Sequence, residues 1–421
     1  MIARSLVLSL VCLVSCLHSA VAQSPQVSVP TAAPAPERPI TVTLVTFGLG
    51  EEIFERFGHN ALWFHDASTR PDVAYHWGLF GFTEPDVLQR FLTGDTKYWM
   101  GAVDAQQLIE SERSRGRPIT LQRLNLTPAQ AFTLREFVQW NALEANKYYR
   151  YDYFGDNCST RLRDALDHAL GGTLRRATDT ARTTLTYRRE SVRLTDGLRP
   201  VQTGIDIALG RPADVPLTTW ESFFIPMRLR DAVRVMRIPG PDGVAVPLVA
   251  REESVSLAPN ATLVPEVDDV PIRAPRNAVL GLVLGALVVV LRVMALSRRG
   301  AAWGLVLFGS AWSLLCGVLG VLLLLAWMAT KHVYWASNET VLLLTPFSLA
   351  LVMLIPAAVL SGRHERAARM LASVVALLGL VAAVLAIVPG GQESLAVVAL
   401  FLPVHLALAW ALALPRLVAT R

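Results

Sequence analysis

Five apolar runs of bilayer length fill the last third of the chain and dictate what it can fold into. They lie at about residues 277–297, 302–329, 341–360, 370–388 and 394–415 of the 421. Each approaches or exceeds the ~20 residues a helix needs to cross a hydrocarbon core. In lipid the backbone must satisfy its own hydrogen bonds, which a helix does. Arg298 and Arg299 follow the first run, Arg363, Arg366 and Arg369 the third, and Arg416 and Arg421 the last. The turns at 330–340 and 389–393 hold only Lys331. Basic residues stay on the cytoplasmic side, so the pattern predicts external loops at 330–340 and 389–393, an external N-terminal part and a cytoplasmic C-terminus. In a bacterial cell this is a multi-pass protein of the inner (cytoplasmic) membrane with a periplasmic domain.

The start of the chain agrees. Arg4 precedes an apolar run from Ser5 to Val14, and Ala20-Val21-Ala22 has the small residues of a cleavage site, so residues 1–22 read as a secretory signal peptide. Leu13-Val14-Ser15-Cys16 also fits a lipobox, which would leave Cys16 lipidated; under either reading the segment from Gln23 onward is exported. Residues 23–39, with Pro25, Pro30, Pro34, Pro36 and Pro39, suit an extended linker. Residues 40–255 then form the exported domain, 256–276 a second linker and 277–421 the membrane domain. The net charge of +5 sits largely in the cytoplasmic loops, and no basic stripe is interleaved with aromatics, which excludes a nucleic-acid partner.

The exported part reads as α+β. Ile40–Phe47, Asn60–Phe64, Asp72–Leu79, Tyr98–Val103 and Pro118–Leu124 are strand candidates by their β-branched and aromatic content. Thr127-Pro128 is a cap followed by proline at the first helical position, and the helix it opens should run to about Asn146. Gly204–Phe224 looks irregular, and Pro239–Pro275 is loop-rich.

The chemistry concentrates at Tyr151-Asp152-Tyr153-Phe154-Gly155-Asp156-Asn157-Cys158, an aromatic loop entering a helix. Asp156 and Asn157 are good caps, and Leu162, Ala165, Leu166 and Ala169 continue an apolar stripe that Cys158 begins. A thiol at a helix start feels unpaired N–H groups that favour thiolate. With Cys12 and Cys16 in the leader and Cys316 in a span, Cys158 is the only thiol of the exported domain, and an unpaired cysteine in an oxidising compartment suggests catalysis. The bland alternative is a small buried hydrophobe. His59 opens one strand and His76 lies in the next. Adjacent antiparallel strands would bring the two rings together, and a helix across the sheet could present Cys158 to them, giving nucleophile, base and orienting group. His59, His65, His76 and Cys158 could instead ligate zinc, but no C-x-x-C or H-x-x-x-H spacing supports a metal, and no cofactor is required.

Six segments carry a family resemblance: Phe57–Ala61, Tyr75–Phe80, Asp156–Arg161, Thr186–Arg188, Leu209–Asp214 and Phe224–Pro226. In order, over roughly residues 40–235, they resemble the N-terminal periplasmic domain of the bacterial lipoprotein intramolecular transacylases (Lnb). The Asn-Cys helix start, preceded in sequence by the histidine, is also similar to the circularly permuted papain-like fold of lecithin:retinol acyltransferases and NlpC-type relatives. The resemblance implies Cys158 as nucleophile and His59 as base. The family often has asparagine where His76 stands, which leaves its orienting role to be tested. His332 and Asn338, in the external loop Lys331–Glu339, also resemble the family.

The expected reaction is transfer of an acyl chain from a membrane lipid or lipoprotein ester, through a Cys158 thioester, to an amine or other acceptor. The Cys158 helix start, with Asn157 and Asp156, would stabilise the oxyanion and cap the helix. Tyr151, Tyr153, His332 and Asn338 would line the substrate entrance; the alternative for the loop Lys331–Glu339 is an ordinary interfacial loop with Tyr334 and Trp335 as headgroup-level anchors. Two alternatives use the same residues: a periplasmic cysteine peptidase or amidase acting on cell-wall peptides, and a catalytically silent membrane scaffold.

Overall fold

The β-branched and aromatic runs do form strands. In a computed structural model, which describes residues 40–66, 71–81, 86–240, 242–259 and 263–414, they build one antiparallel sheet. Its strands are β1 (Thr41–Phe47), β2 (His59–His65), β3 (Val73–Leu79), β4 (Lys97–Asp104), β5 (Ile119–Leu124), β6 (Tyr148–Arg150) and β7 (Val249–Val255), in the order β6-β4-β3-β2-β1-β5-β7. The signal peptide and the proline-rich linker lie outside the described residues.

Side chains alternate across a strand, so the sheet has two apolar faces. Leu62, Phe64, Tyr75 and Trp77 pack with Leu134 and Val138 of α3 (Pro128–Ala142) and with Leu162, Ala165 and Leu166 of α4 (Cys158–Ala169). Val45, Phe47, Ala61 and Ala74 face the other way, onto Ala105, Leu108 and Ile109 of α2 (Ala105–Ser114). A shorter helix, α1 (Val87–Thr93), stands between β3 and β4. The N-terminal domain is thus α+β with helices on both faces of its sheet.

Three local expectations change. The helix begun by the Thr127 capping box stops at Ala142, because Leu143 turns extended. Gly204–Phe224 is largely ordered, holding the end of α6 (Arg199–Ala208), a 3-10 turn at Arg211–Asp214 and a short helix at Thr219–Ser222; α5 (Tyr187–Leu194) precedes it. The stretch read as loop-rich supplies β7, paired with β5 from Ile119↔Val255 to Leu124↔Val249. Its run Ala250–Ser254 is exposed on both faces, so no apolar alternation marked it as a strand.

Among the described residues, five helices are long and apolar enough to cross a membrane: Ala274–Met294, Arg299–Ala329, Thr340–Ser361, Glu365–Leu385 and Leu395–Ala413. The third is broken into Thr340–Leu343 and Ser348–Ser361. Pro346 lacks an amide hydrogen and disfavours helix at Thr345, which explains the interruption. Small residues let the bundle close around it: a side chain at Gly320 would strike the Leu344 carbonyl, and one at Gly285 would meet the Pro403 carbonyl at 3.0 Å.

The N-terminal domain and the bundle belong to one compact unit, and polar bonds stitch them together. Gly210 N–H donates to Tyr334 O at 2.8 Å. Gln392, fully buried, donates to Leu209 O, Asn338 Oδ1 and Thr340 Oγ1 at 3.1, 3.1 and 2.8 Å. Arg273, just before the first span, binds Asp206 at 2.6 Å, and Arg189 binds Glu393 at 2.9 Å.

Candidate active site

Cys158 begins α4 because Asn157 caps it. The Asn157 Oδ1 accepts from the N–H groups of Ser159 and Thr160, both at 2.9 Å, while Thr160 Oγ1 accepts from Asn157 N–H at 2.8 Å. Its Nδ2 donates to the carbonyls of Tyr153 and Phe224, both at 2.9 Å. With both amide hydrogens committed, the Asn157 side chain holds the helix start in position and has none left for an oxyanion. Asp156 forms a two-pronged pair with Arg161 at 2.6 and 2.7 Å, so it braces the loop.

Across the sheet, His59 and His76 meet as the antiparallel register of β2 and β3 implies. His59 Nε2 and His76 Nδ1 are 2.9 Å apart, and the rings stand at 85°. Phe47 stacks beside His59 at 6.1 Å between ring centres. These rings belong to the α2 side of the sheet, whereas Cys158 packs with the α3–α4 side. Gly78 joins the two sides. It has φ +94°, a conformation that side-chain-bearing residues rarely adopt, where the β3–β4 register shifts. A Cβ placed on it would lie 3.2 Å from Cys158 Cβ, 3.9 Å from His59 Cε1 and 4.0 Å from Tyr151 Cε2. Cys158 Cβ, the His59 imidazole and the Tyr151 ring therefore all border the space this missing side chain leaves.

Burial governs the protonation of this cluster. The Cys158 thiol is pushed up to about 12 by desolvation, against the backbone N–H groups of Ser159 and Cys158 and the charge of Arg117, which act in the opposite direction. Desolvation also carries His76 down to about 4, and lowers His59 well below the ordinary imidazole value with help from His76 and Arg117. Burial thus favours the neutral forms of the thiol and of both imidazoles. This corrects the expectation of a thiolate held by the helix start: the helix N–H groups are present, but loss of water outweighs them.

Three further residues at the site were not singled out by sequence. Asn60 Nδ2 donates to Ser159 Oγ at 3.2 Å, and Ser159 Oγ donates to Phe223 O at 2.6 Å, tying β2 to the start of α4. Arg117 is buried, with Nε and Nη2 on Gly48 O at 3.0 and 2.9 Å and Nη1 on Glu112 at 2.6 Å. The glycine of His76-Trp77-Gly78 was the readable sign, since an isolated glycine within a strand pattern marks a bulge or a close approach; Asn60 and Arg117 left none.

A row of rings leads from the thiol to the bundle. Tyr98 stacks on Tyr151 at 4.2 Å, Tyr151 meets Tyr153 edge-on at 6.3 Å, Tyr153 stacks on His332 at 5.7 Å, and His332 on Trp335 at 4.2 Å. His332 Nε2 lies 2.9 Å from Phe91 O and Nδ1 lies 3.4 Å from Tyr153 Oη. Asn338 stands apart from this row. It is 1% exposed, donates to Ile207 O and Ala208 O at 2.8 and 3.0 Å, and accepts from Thr340 N–H. It is a joint of the seam with no free polar atom facing an opening. Tyr334 packs with Phe154 and Tyr187, inside the domain contact. His65 binds Asp72 at 2.9 Å, and among the described residues no group of three or more His, Cys, Asp or Glu is placed to hold a metal ion.

The motif residues outside the thiol site serve a buried ion network. Arg188, 1% exposed, binds Asp214 at 2.6 Å, Asp206 Oδ1 at 3.1 Å, and the carbonyls of Asp206 and Leu209 at 2.6 and 2.7 Å. Desolvation raises Asp214 against the pull of Arg188.

Residues 35–189 match the family model described as the Lnb N-terminal periplasmic domain. That span includes His59, His76, Gly78 and Cys158 and ends within α5. No curated protein and no solved structure matches the chain.

Proposed function

Starting from a chain that carries an Lnb N-terminal periplasmic domain on five membrane-spanning helices, and so fits a membrane enzyme of the Lnb type, we propose that it is a cysteine-dependent acyltransferase. The observation that carries this reading is the convergence of Cys158, His59 and the row of rings on Gly78. The arginine pattern supports placement in the inner membrane with the C-terminus in the cytoplasm.

In the proposed reaction, Cys158 Sγ attacks the ester carbonyl of an acyl chain on a membrane lipid or lipoprotein as its proton passes to His59. With Nε2 engaged by His76, His59 has Nδ1 left to accept that proton. The shared hydrogen then sits on His59 Nε2 and is donated to His76 Nδ1, and His76 orients the ring. The tetrahedral intermediate collapses with loss of the C–O bond. His59 protonates the departing alkoxide and the acyl group stays on sulfur. An incoming amine attacks the thioester, gives its proton to His59, and the C–S bond breaks; the released sulfur recovers a proton. Main-chain N–H groups at the helix start, each worth ~3 kcal/mol in such roles, supply the oxyanion contact, since the Asn157 amide is committed elsewhere.

Mass spectrometry of the purified protein incubated with membrane lipids tests this directly. An acyl adduct on Cys158, absent from Cys158→Ala together with transfer activity, is the expected result. Full transfer by Cys158→Ala would overturn the proposal.

A further inference from the structure

Helix α1 presents an apolar face that the protein leaves uncovered. Leu88, Phe91 and Leu92 are 66%, 43% and 58% exposed. Their spacing of three and four residues puts them on one side of the helix. Such a face normally finds a partner, and the ties of α1 identify which.

The helix is fastened to the outer end of the second span. Lys331 N–H donates to Thr93 O at 2.8 Å, His332 Nε2 donates to Phe91 O at 2.9 Å, and Lys331 Nζ pairs with Asp95 at 2.8 Å. Gly94 ends α1 at φ +70°, and a Cβ there would lie 3.1 Å from both Lys331 C and His332 N. The backbone of α1 thus touches the backbone of the external loop with no side chain between them.

The second span sets the height of that contact. Trp303 and Trp327 are 55% and 42% exposed. They are separated by about 36 Å along a helix rising ~1.5 Å per residue, which suits tryptophans at the two interfaces of a ~30 Å hydrocarbon core. Met328 is 80% exposed, and Lys331 follows Trp327 by about one turn. The loop that holds α1 therefore lies at headgroup level, which brings the uncovered face of α1 to the height of the bilayer boundary.

We propose that α1 is a membrane-docking helix: Leu88, Phe91 and Leu92 enter the outer interface of the bilayer that holds the spans. The occupant of the face is lipid. This docking is independent of whether the thiol is acylated. It places the boundary of the bilayer against Phe91, whose carbonyl is bonded to the His332 end of the row of rings.

Site-directed spin labelling of the full chain in lipid nanodiscs tests it. Single cysteines at Leu88, Leu92 and, as a reference on α2, Glu110 are labelled in a background with the remaining cysteines changed to serine, including Cys158, so the readout cannot depend on turnover. Labels at Leu88 and Leu92 are expected to collide with oxygen several-fold more, relative to a water-soluble nickel complex, than the label at Glu110, at a depth of about 5–10 Å. Nickel accessibility at both positions equal to that at Glu110 would overturn the proposal. Both positions are exposed, so labelled protein that remains monodisperse reports on the native fold.

Discussion

His59 Nε2 and His76 Nδ1 lie 2.9 Å apart, so one hydrogen serves both nitrogens and the two rings act as a unit. Their common environment is dry, and burial holds both below the ordinary imidazole pKa. A lowered pKa in the folded state means that the unfolded chain binds protons more readily below about pH 6.5. Stability is then full above that value and falls as pH drops towards about 4, the His76 value. The loss for His76 alone is about 3 kcal/mol. Thermal unfolding of the full chain in detergent should therefore show a midpoint that falls from pH 7 to pH 4.5, and a His59→Gln/His76→Gln variant should flatten that dependence. An unchanged slope in the double variant would show that other groups set it.

Gly78→Ala should be more damaging to chemistry than to folding. The left-handed backbone costs a residue with a side chain about 1–2 kcal/mol, and the new methyl would enter the space between Cys158, His59 and Tyr151. Acyl-adduct formation on Cys158 is expected to fall at least ~100-fold, the equivalent of about 3 kcal/mol in barrier height, with purified yield and dispersity retained. Near-normal adduct formation in Gly78→Ala would separate the glycine from the reaction.

Arg188→Met should leave Asp214 and Asp206 buried with less compensation; Asp206 keeps Arg273. Breaking a buried pair from one side costs about 3–5 kcal/mol, so the midpoint of thermal unfolding should drop by several degrees. Arg188→Lys should recover little, because one ammonium cannot reproduce a fork that reaches four acceptor groups. Full rescue by lysine would argue that charge alone matters there.

Gln392→Leu should loosen the seam. It removes the acceptor of Glu339 N–H, which costs about 1–3 kcal/mol if left unpaired, and one donor each from Leu209 O and Asn338 Oδ1, which keep Arg188 and Thr340 N–H. Hydrogen exchange should rise at residues 207–211 and 336–341 while β2 and β3 stay protected. Uniform exchange across the chain would instead report global unfolding.

Much of this arrangement was legible because the relevant signals are local. The apolar runs announced the spans, the Asn157-Cys158 step announced a capped helix start, and strand pairing brought His59 to His76. The protonation state was not legible, since it depends on burial that only the packed domain creates. Gly78 was visible as a strand glycine, but the convergence of residues from both sheet faces on it is tertiary. Asn338 was misjudged for a similar reason. An asparagine in a loop between two spans looks like a polar lining residue, yet Ile207, Ala208 and Gln392, distant in sequence, consume its hydrogen bonds.

Strand β7 covers the β5 edge from Ile119 to Leu124, and the chain passes from Val255 to the first membrane helix at Ala274. The strand that completes the sheet is thus the one nearest in sequence to the first membrane helix. Without residues 249–255, β5 would be left as an unpaired sheet edge, the kind that invites pairing with another chain.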